Sequence, residues 1–425
     1  MQTRLDAIIV GAGPAGSTAA ILLARAGWRV AVIEKQRFPR RKVCGECVAA
    51  SNLPLLDALG VGPALRALGG PELRHVALMC GNNEAIADLP AAADSRHPWG
   101  RAIGRETLDT LLLEQARAAG ATMLQPWSVQ AISGAAGDWR VEARGVADTS
   151  TTELQAPVVI AANGSWEPLP AHRPQRRRAR SAADLFAFKA NFRHATLREG
   201  LLPVLLLDGG YGGMVVADGG ITTLACCIRR DRLEALRQSA PGAGAGALVE
   251  RWLQRECDGV RLALGRAARV GPWLAAGPIA PGIRLRADDG LLRIGNAAGE
   301  AHPILGEGMS MALQSAAMLS ARLLEAGPAG PDPDAGWQRA VASGHAAQWR
   351  REFKPRLRLA AAFAHGAMRP WSAALLVALA RHGPGLLTQG ARWGGKVRSS
   401  VDLGALAVPA GWRPAGLDLE LENST

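Results

Sequence analysis

Four apolar residues, Ala7-Ile8-Ile9-Val10, run directly into Gly11-Ala12-Gly13-Pro14-Ala15-Gly16. The run predicts a buried strand that turns at once into a helix: Gly11 makes the turn, Gly13 lets a pyrophosphate approach the backbone, and Gly16 lets helix and sheet touch. Ala15 to Ala26 has the composition of a helix whose N-terminal amides face the phosphates. Further on, Val30-Ala31-Val32-Ile33 predicts a second strand ending at Glu34, placed to accept from a ribose 2′-hydroxyl. A carboxylate there disfavours a 2′-phosphate, so the adenosine belongs to FAD or NAD rather than NADP. Strand, glycines, helix and acid in register predict an α/β chain with a Rossmann-like dinucleotide domain.

The remaining length supplies more than that domain. At 425 residues the chain has material for two or three domains. No charged-then-apolar leader precedes the first strand, and no apolar run reaches the ~18 residues of a membrane span, so a cytoplasmic location is expected. Six cysteines in a chain of this length argue against a disulfide framework. The net charge of +12 is concentrated in the run Arg173 to Arg180 and in the cluster Arg350 to Arg358. These could steer an acidic carrier protein, a CoA ester or a membrane surface; solvated arginines on loops and helix faces are the simpler reading. Nucleic acid is not expected, because the arginines lack interleaved aromatics or a reader motif.

Along the chain, Leu53 to Leu68 reads as helix, Leu73 to Cys80 and Glu84 to Leu89 as strands, and Thr107 as the cap of a helix running to Ala119. Strands are expected at Thr122 to Ile132, Trp139 to Ala143 and Glu153 to Ala161. From Asp184 to Arg230, short alternating segments separated by glycines predict an antiparallel sheet. A helix is read at Ala247 to Glu256, a strand at Leu291 to Ile294, and a helix from Gly308 to Glu325; the remainder is mostly helical down to a Pro- and Gly-punctuated tail.

Three features occur together: the N-terminal fingerprint, Arg105 at a helix start, and Gly295-Asn296-Ala297-Ala298 continuing into His302-Pro303-Ile304-Leu305-Gly306-Glu307-Gly308-Met309. Over roughly residues 1–330 the chain resembles the FAD-dependent superfamily of aromatic hydroxylases, geranylgeranyl reductases and flavin halogenases. The resemblance implies a discontinuous FAD-binding domain (1–75, 100–165, 285–330), a substrate-binding sheet domain (76–99, 166–284) and a helical C-terminal region (331–425). It implies further that Gly11, Gly13, Pro14, Ala15, Gly16, Glu34 and Lys35 hold the ADP half of FAD, with Val129 nearby. Arg105 would reach ribityl or phosphate oxygens, Gly295 and Asn296 the ribityl chain, and Gly306, Gly308 and Met309 the flavin N1 and C2 carbonyl edge. The segment Phe38 to Glu46 looks closest to the reductase branch, where it borders the flavin through Arg40, Lys42 and Cys44. Cys44 and Cys47 form a C-x-x-C, read as two thiols packed near the cofactor rather than a redox or metal pair.

Two departures stand out. The family usually carries Asp-Gly where this chain has Asn163-Gly164, and Gly-Asp where it has Gly295-Asn296. Asn296 keeps an acceptor and adds a donor, so FAD binding should persist. The change at Asn163 leaves NAD(P)H as reductant an open expectation. No W-x-W occurs, which counts against halogenation, and Lys189, opposite Phe186 and Phe188 on an alternating strand, reads as solvated or salt-bridged. Tyr211, between glycine pairs, falls on the roof over the substrate face; His302 falls on the opposite, flavin-contacting side, and both are candidate catalytic residues. The implied chemistry is hydroxylation of an aromatic or polyketide-type lipophile, free or carrier- or CoA-linked, through a flavin C4a-hydroperoxide. Hydride transfer to an isoprenoid double bond is the alternative, and a flavoprotein without turnover that passes electrons to a partner is the alternative of another class. The C-terminal stretches Leu357 to Met368 and Trp371 to Leu379 are expected to pack on the flavin domain, with peripheral membrane contact or the cover of a greasy substrate tunnel as the other readings.

Overall fold

The computed structural model describes residues 5–165, 167, 169–170, 179–286, 289–325 and 335–406. Most of the Arg173 to Arg180 run lies outside them. Ala7–Val10 sits at the centre of a five-stranded parallel sheet, ordered Leu292–Arg293, Val158–Ala161, Ala7–Val10, Val30–Ile33, Thr122–Leu124. Every residue of its three central strands is buried, as the continuous apolar runs require of a sheet covered on both faces. Helices Pro14–Arg25, Arg105–Ala118 and Gly308–Glu325 cover one face. An antiparallel meander, Trp127–Ala135, Asp138–Gly145 and Thr151–Ala156, covers the other.

The second lobe is a seven-stranded sheet, ordered Ala268–Ile279, Leu185–Arg193, Thr222–Arg229, Gly210–Val216, Leu201–Leu207, His75–Cys80, Asn83–Asp88. It is antiparallel except where Leu201–Leu207 pairs with His75–Cys80 in parallel. Its outer face carries Phe188, Phe192, Leu224 and Cys226 against helices Arg230–Ser239, Ala245–Glu256 and Asp258–Leu264. Its inner face carries Tyr211, Cys227, Leu206 and Ala187 toward the flavin-side turn at Ile304 and toward the C-terminal helices.

Several expectations change. Two long strands each divide at a proline, which cannot donate to a ladder. Thr122–Leu124 lies in the parallel sheet and Trp127–Ala135 in the meander, on either side of Pro126; Thr151–Ala156 and Val158–Ala161 divide likewise at Pro157. The helix after Gly104 begins at Arg105, so Thr107 is not its cap: its hydroxyl bonds Asp218 at 2.5 Å, and the Gly104 amide goes to the same carboxylate. Leu53 to Leu68 is two short helices, Leu53–Ala58 and Gly62–Leu68. The C-terminal helices do not pack on the flavin domain alone. Ala335–Ala367 lies against Gly308–Glu325 and then crosses to the large sheet, while Pro370–His382 and Gly385–Trp393 pack on its edge strand Asn83–Asp88.

Candidate functional site

At the end of the first strand Gly11 adopts φ +102°, and a Cβ there would stand 2.6 Å from the Ala162 carbonyl oxygen. Gly13 precedes the first helix without a side-chain cap, leaving the first-turn amides free. Three cations converge on this terminus. Arg105 Nη2 lies 3.8 Å from where a Gly13 Cβ would be, and Lys42 Nζ lies 3.3 Å from the same position on Gly164. Arg40 reaches toward Asp109 at 3.5 Å and Glu34 at 3.9 Å. Arg105 is clamped by Asp109 through two 2.7 Å hydrogen bonds. Burial works against its charge, but Asp109 and then Cys44 outweigh it and hold the guanidinium ionised. Burial, then repulsion from Arg105 and Arg40, pushes Lys42 down to about 8. Three cations against two carboxylates leave a positive excess at a helix N-terminus, the condition that binds a diphosphate.

Glu34, 5% exposed, accepts from the amides of Ala12 at 2.9 Å and Gln36 at 2.8 Å. Each oxygen keeps a lone pair for a sugar hydroxyl. Lys35 is exposed beyond it, and Val129 packs in the meander core rather than among the cations.

On the other flank, Gly295 donates its amide to Ser315 at 2.8 Å. Asn296 Nδ2 donates to Ser165 Oγ at 2.8 Å, which donates to Glu300 at 2.8 Å, itself paired with Arg284. The amide is required here: a carboxylate at 296 would compete with Glu300 for the one Ser165 proton. Asn163 gives its Nδ2 to the Glu167 carbonyl. Its buried Oδ1 has no partner among the described residues.

Gly306 closes a short turn in the left-handed region at φ +64°, and Gly308 opens the next helix, with Met309 buried behind it. A Cβ on Gly308 would meet nothing within 4 Å. Glu307 instead points inward, 3.5 Å from Lys396 and 3.8 Å from Arg356. Arg356 therefore leaves the surface cluster read from Arg350 to Arg358. Lys396 also donates to Cys47 Sγ at 3.7 Å. Burial, outweighing Lys396, raises the Cys47 thiol, which with Cys44 is a free cysteine.

The sheet roof holds the remaining candidates. Tyr211 Oη lies 3.2 Å from His302 Nδ1, so residues read onto opposite sides meet. The His302 ring also stands 5.6 Å from that of His365, on the long C-terminal helix. Burial, then His365, pushes His302 down to about 4. Burial, then Cys227, raises the Tyr211 phenol well above its ordinary value. Both are neutral at neutral pH. In the register beside them, Gly213 pairs with Ala225, both half-buried on the inner face in the same row as Lys189. Of the two readings for Lys189, solvated or salt-bridged, the structure has the second: it is 2% exposed and paired with Glu46. Glu46 also accepts from the Arg105 amide at 2.9 Å and from Thr223 at 2.5 Å, joining roof to phosphate cradle. Beyond this pair an open cleft of about 470 Å³ lies between Asn191, Arg193, Glu106 and Asp218. Asp109, Glu46, Ser165, Glu300 and His365 were not singled out from sequence. Only Asp109 carried a local signal, four positions after Arg105 on one helix face.

The residues present fit a flavin dinucleotide: a glycine cradle at a helix N-terminus, excess positive charge, and a buried Arg40 Nε without a partner among the described residues. A family model described as an FAD binding domain matches residues 4–332. Conditioned medium factor receptor 1 of Dictyostelium discoideum is 27% identical over 76% of this chain and 64% of its own length. Menaquinone reductase of Mycolicibacterium smegmatis is 36% identical over 29% of each chain. Anhydrotetracycline monooxygenase of Streptomyces rimosus is 34% identical over 30% of this chain and 25% of its own. In each case the match spans less than two thirds of the relative. Among solved structures, a myxobacterial chondrochloren halogenase superposes with TM-score 0.70 at 20% identity, over 82% of this chain and 80% of that one.

Proposed function

The chain belongs to the FAD-binding-domain family, and from that premise we propose that it is an FAD-dependent monooxygenase hydroxylating an aromatic or polyketide-type lipophile, with NAD(P)H as reductant. The observation that carries this reading is the buried, neutral Tyr211–His302 pair on the inner face of the large sheet, facing the Ile304 turn. A neutral phenol and imidazole bind and orient a substrate hydroxyl or carbonyl without placing a charge in an apolar site. With Nε2 protonated, His302 accepts the Tyr211 proton at Nδ1, and the phenol oxygen keeps lone pairs for a substrate donor. The surrounding apolar face of Leu206, Ile304 and Ala187 excludes water, which an oxygen-dependent reaction on a lipophile requires. Bound FAD supplies the two-electron redox chemistry. Arg40, Lys42, Arg105 and Glu34 would hold its ADP half, Gly295 and Asn296 its ribityl chain, and the Gly306 to Met309 turn would offer amides to the ring edge.

A second reading, saturation of an isoprenoid or quinone-like double bond, is favoured by the Phe38 to Glu46 segment bordering the cradle. It is also favoured by the menaquinone reductase relative. Halogenation is disfavoured by the missing W-x-W element and by Lys189, whose ammonium is committed to Glu46. The test supplies FAD-loaded protein with NADH or NADPH, a phenolic or polyketide-type lipid, and ¹⁸O₂. One ¹⁸O atom per product molecule is expected. A saturated product formed without oxygen would replace this reading with the second, and no substrate-accelerated NAD(P)H consumption would leave a non-turnover flavoprotein.

A further inference from the structure

Helix Pro370–His382 is apolar on both sides. Ala373, Val377 and Ala380 are buried against the large sheet, while Trp371, Leu375 and Leu379 are 68%, 51% and 49% exposed. The exposed three are spaced by four and share one face. The next helix, Gly385–Trp393, adds Leu386 and Trp393 at 61% and 66% exposure. A helix apolar all round belongs in a core or in lipid, and this one, at 13 residues, is too short to span a bilayer of ~20 residues. No helix among the described residues is long and apolar enough to cross a membrane.

The charge around this face is one-sided. Between Phe353 and Val401 the chain carries no Asp or Glu, whereas Lys354, Arg358, Arg369, Arg381, Arg392 and Arg398 are exposed. Glu84 and Asp88 stand on the edge strand beneath, with Asp88 hydrogen-bonded to His75 at 2.9 Å, and Asp208, next to the Gly209 amide that donates to the Met368 carbonyl, is paired with Arg232 at 3.4 Å. Apolar side chains bounded by tryptophans and rimmed with arginines match the boundary of an anionic bilayer, where indoles sit at headgroup depth and cations meet lipid phosphates. An acidic protein would complement the arginines, but it would leave the leucine and tryptophan face needing a matched apolar groove.

We propose that the paired helices Pro370–His382 and Gly385–Trp393 dock this protein on an anionic membrane surface, lying in the plane of the interface. The inner face of the first helix covers the same sheet face as Tyr211, so docking sets the roof beside a reservoir of lipophiles. The docking itself does not rest on the chemistry proposed above, and its test does not read activity.

FAD-loaded full-length protein is sedimented with vesicles of phosphatidylcholine alone or mixed with phosphatidylglycerol. Binding to the mixed vesicles is expected, with little to phosphatidylcholine alone and a marked loss at 0.5 M salt on the order set by charge screening. The triple variant Trp371→Ser, Leu375→Ser, Leu379→Ser should lose at least about tenfold in partition coefficient, while FAD content and Tm stay unchanged because these side chains are exposed. Quenching of Trp393 fluorescence by brominated lipid, read as the difference from Trp393→Phe, should accompany binding. No sedimentation with either vesicle, or equal binding by the triple variant, overturns the proposal. Binding only after truncation following Leu406 overturns it in favour of residues 407–425 as the cover. A dimer that dissociates in the triple variant, without vesicle binding, overturns it in favour of a second copy.

Discussion

Lys42 shows how much of the site's chemistry is set by neighbours rather than by residue type. Its amine is held down to about 8 by burial and by Arg105 and Arg40, whereas a diphosphate beside it favours the ammonium. Binding of FAD therefore takes up a proton above that pH, and affinity should fall as pH rises from 7 to 9.5. Titration by flavin fluorescence should show this slope, and Lys42→Met should bind about tenfold more weakly at pH 7 with a flatter profile; a flat wild-type profile would exclude the assignment. The basic residues of this cradle were legible because they lie within one short segment and one helix start. Asn296 was legible as a departure but not as a solution: Ser165, which links it to Glu300, is 131 positions from Asn296 and 135 from Glu300 in the chain. For Lys189 the choice between solvated and salt-bridged stayed open because alternation gives the face a residue occupies, not what covers that face. Its cover, Glu46, is 143 positions away.

At the level of elements, the strand-turn-helix was readable because each of its glycines answers a local steric demand. A Cβ on Gly16 would stand 1.8 Å from the Gly11 carbonyl oxygen, so Gly16→Ala must push the first helix off the sheet. Overpacking of this kind costs about 1–3 kcal/mol; a lower Tm and loss of yellow colour on purification are the expected results, and a variant of normal Tm that retains FAD would contradict the close-contact role. Boundaries were less readable where apolar runs continue through Pro126 and Pro157. Both flanks of each proline are strands, and hydropathy does not record that they pair in different sheets. The C-terminal helices were readable as helices, but their partner, the edge strand Asn83–Asp88, could not be found from periodicity.

Across the whole molecule, texture separates buried runs with glycine turns, alternating strands and helices, but does not say which segments share a sheet: His75–Cys80 and Asn83–Asp88 join the seven-stranded sheet ahead of strands that return to the parallel one. Nor does texture supply the set of polar groups sealed between the two lobes. His302 and His345 are both held at about 4, in each case chiefly by burial. An unfolded histidine titrates near ~6.5. Between those values the unfolded chain binds more protons, so stability is fully present above about 6.5 and is lost as pH falls toward 4, up to about 3 kcal/mol per site. Urea midpoints measured from pH 7 to 4.5 should fall accordingly. His345→Gln, which keeps a donor for the Arg293 carbonyl at 3.0 Å, should reduce the slope; an unchanged slope would remove His345 from the account. Glu46 has a different consequence. One carboxylate grips a backbone amide on the nucleotide side and two side chains on the opposite lobe, so the halves cannot hinge apart without disturbing the coenzyme's anchor, and coenzyme loss and interlobe loosening become a single event.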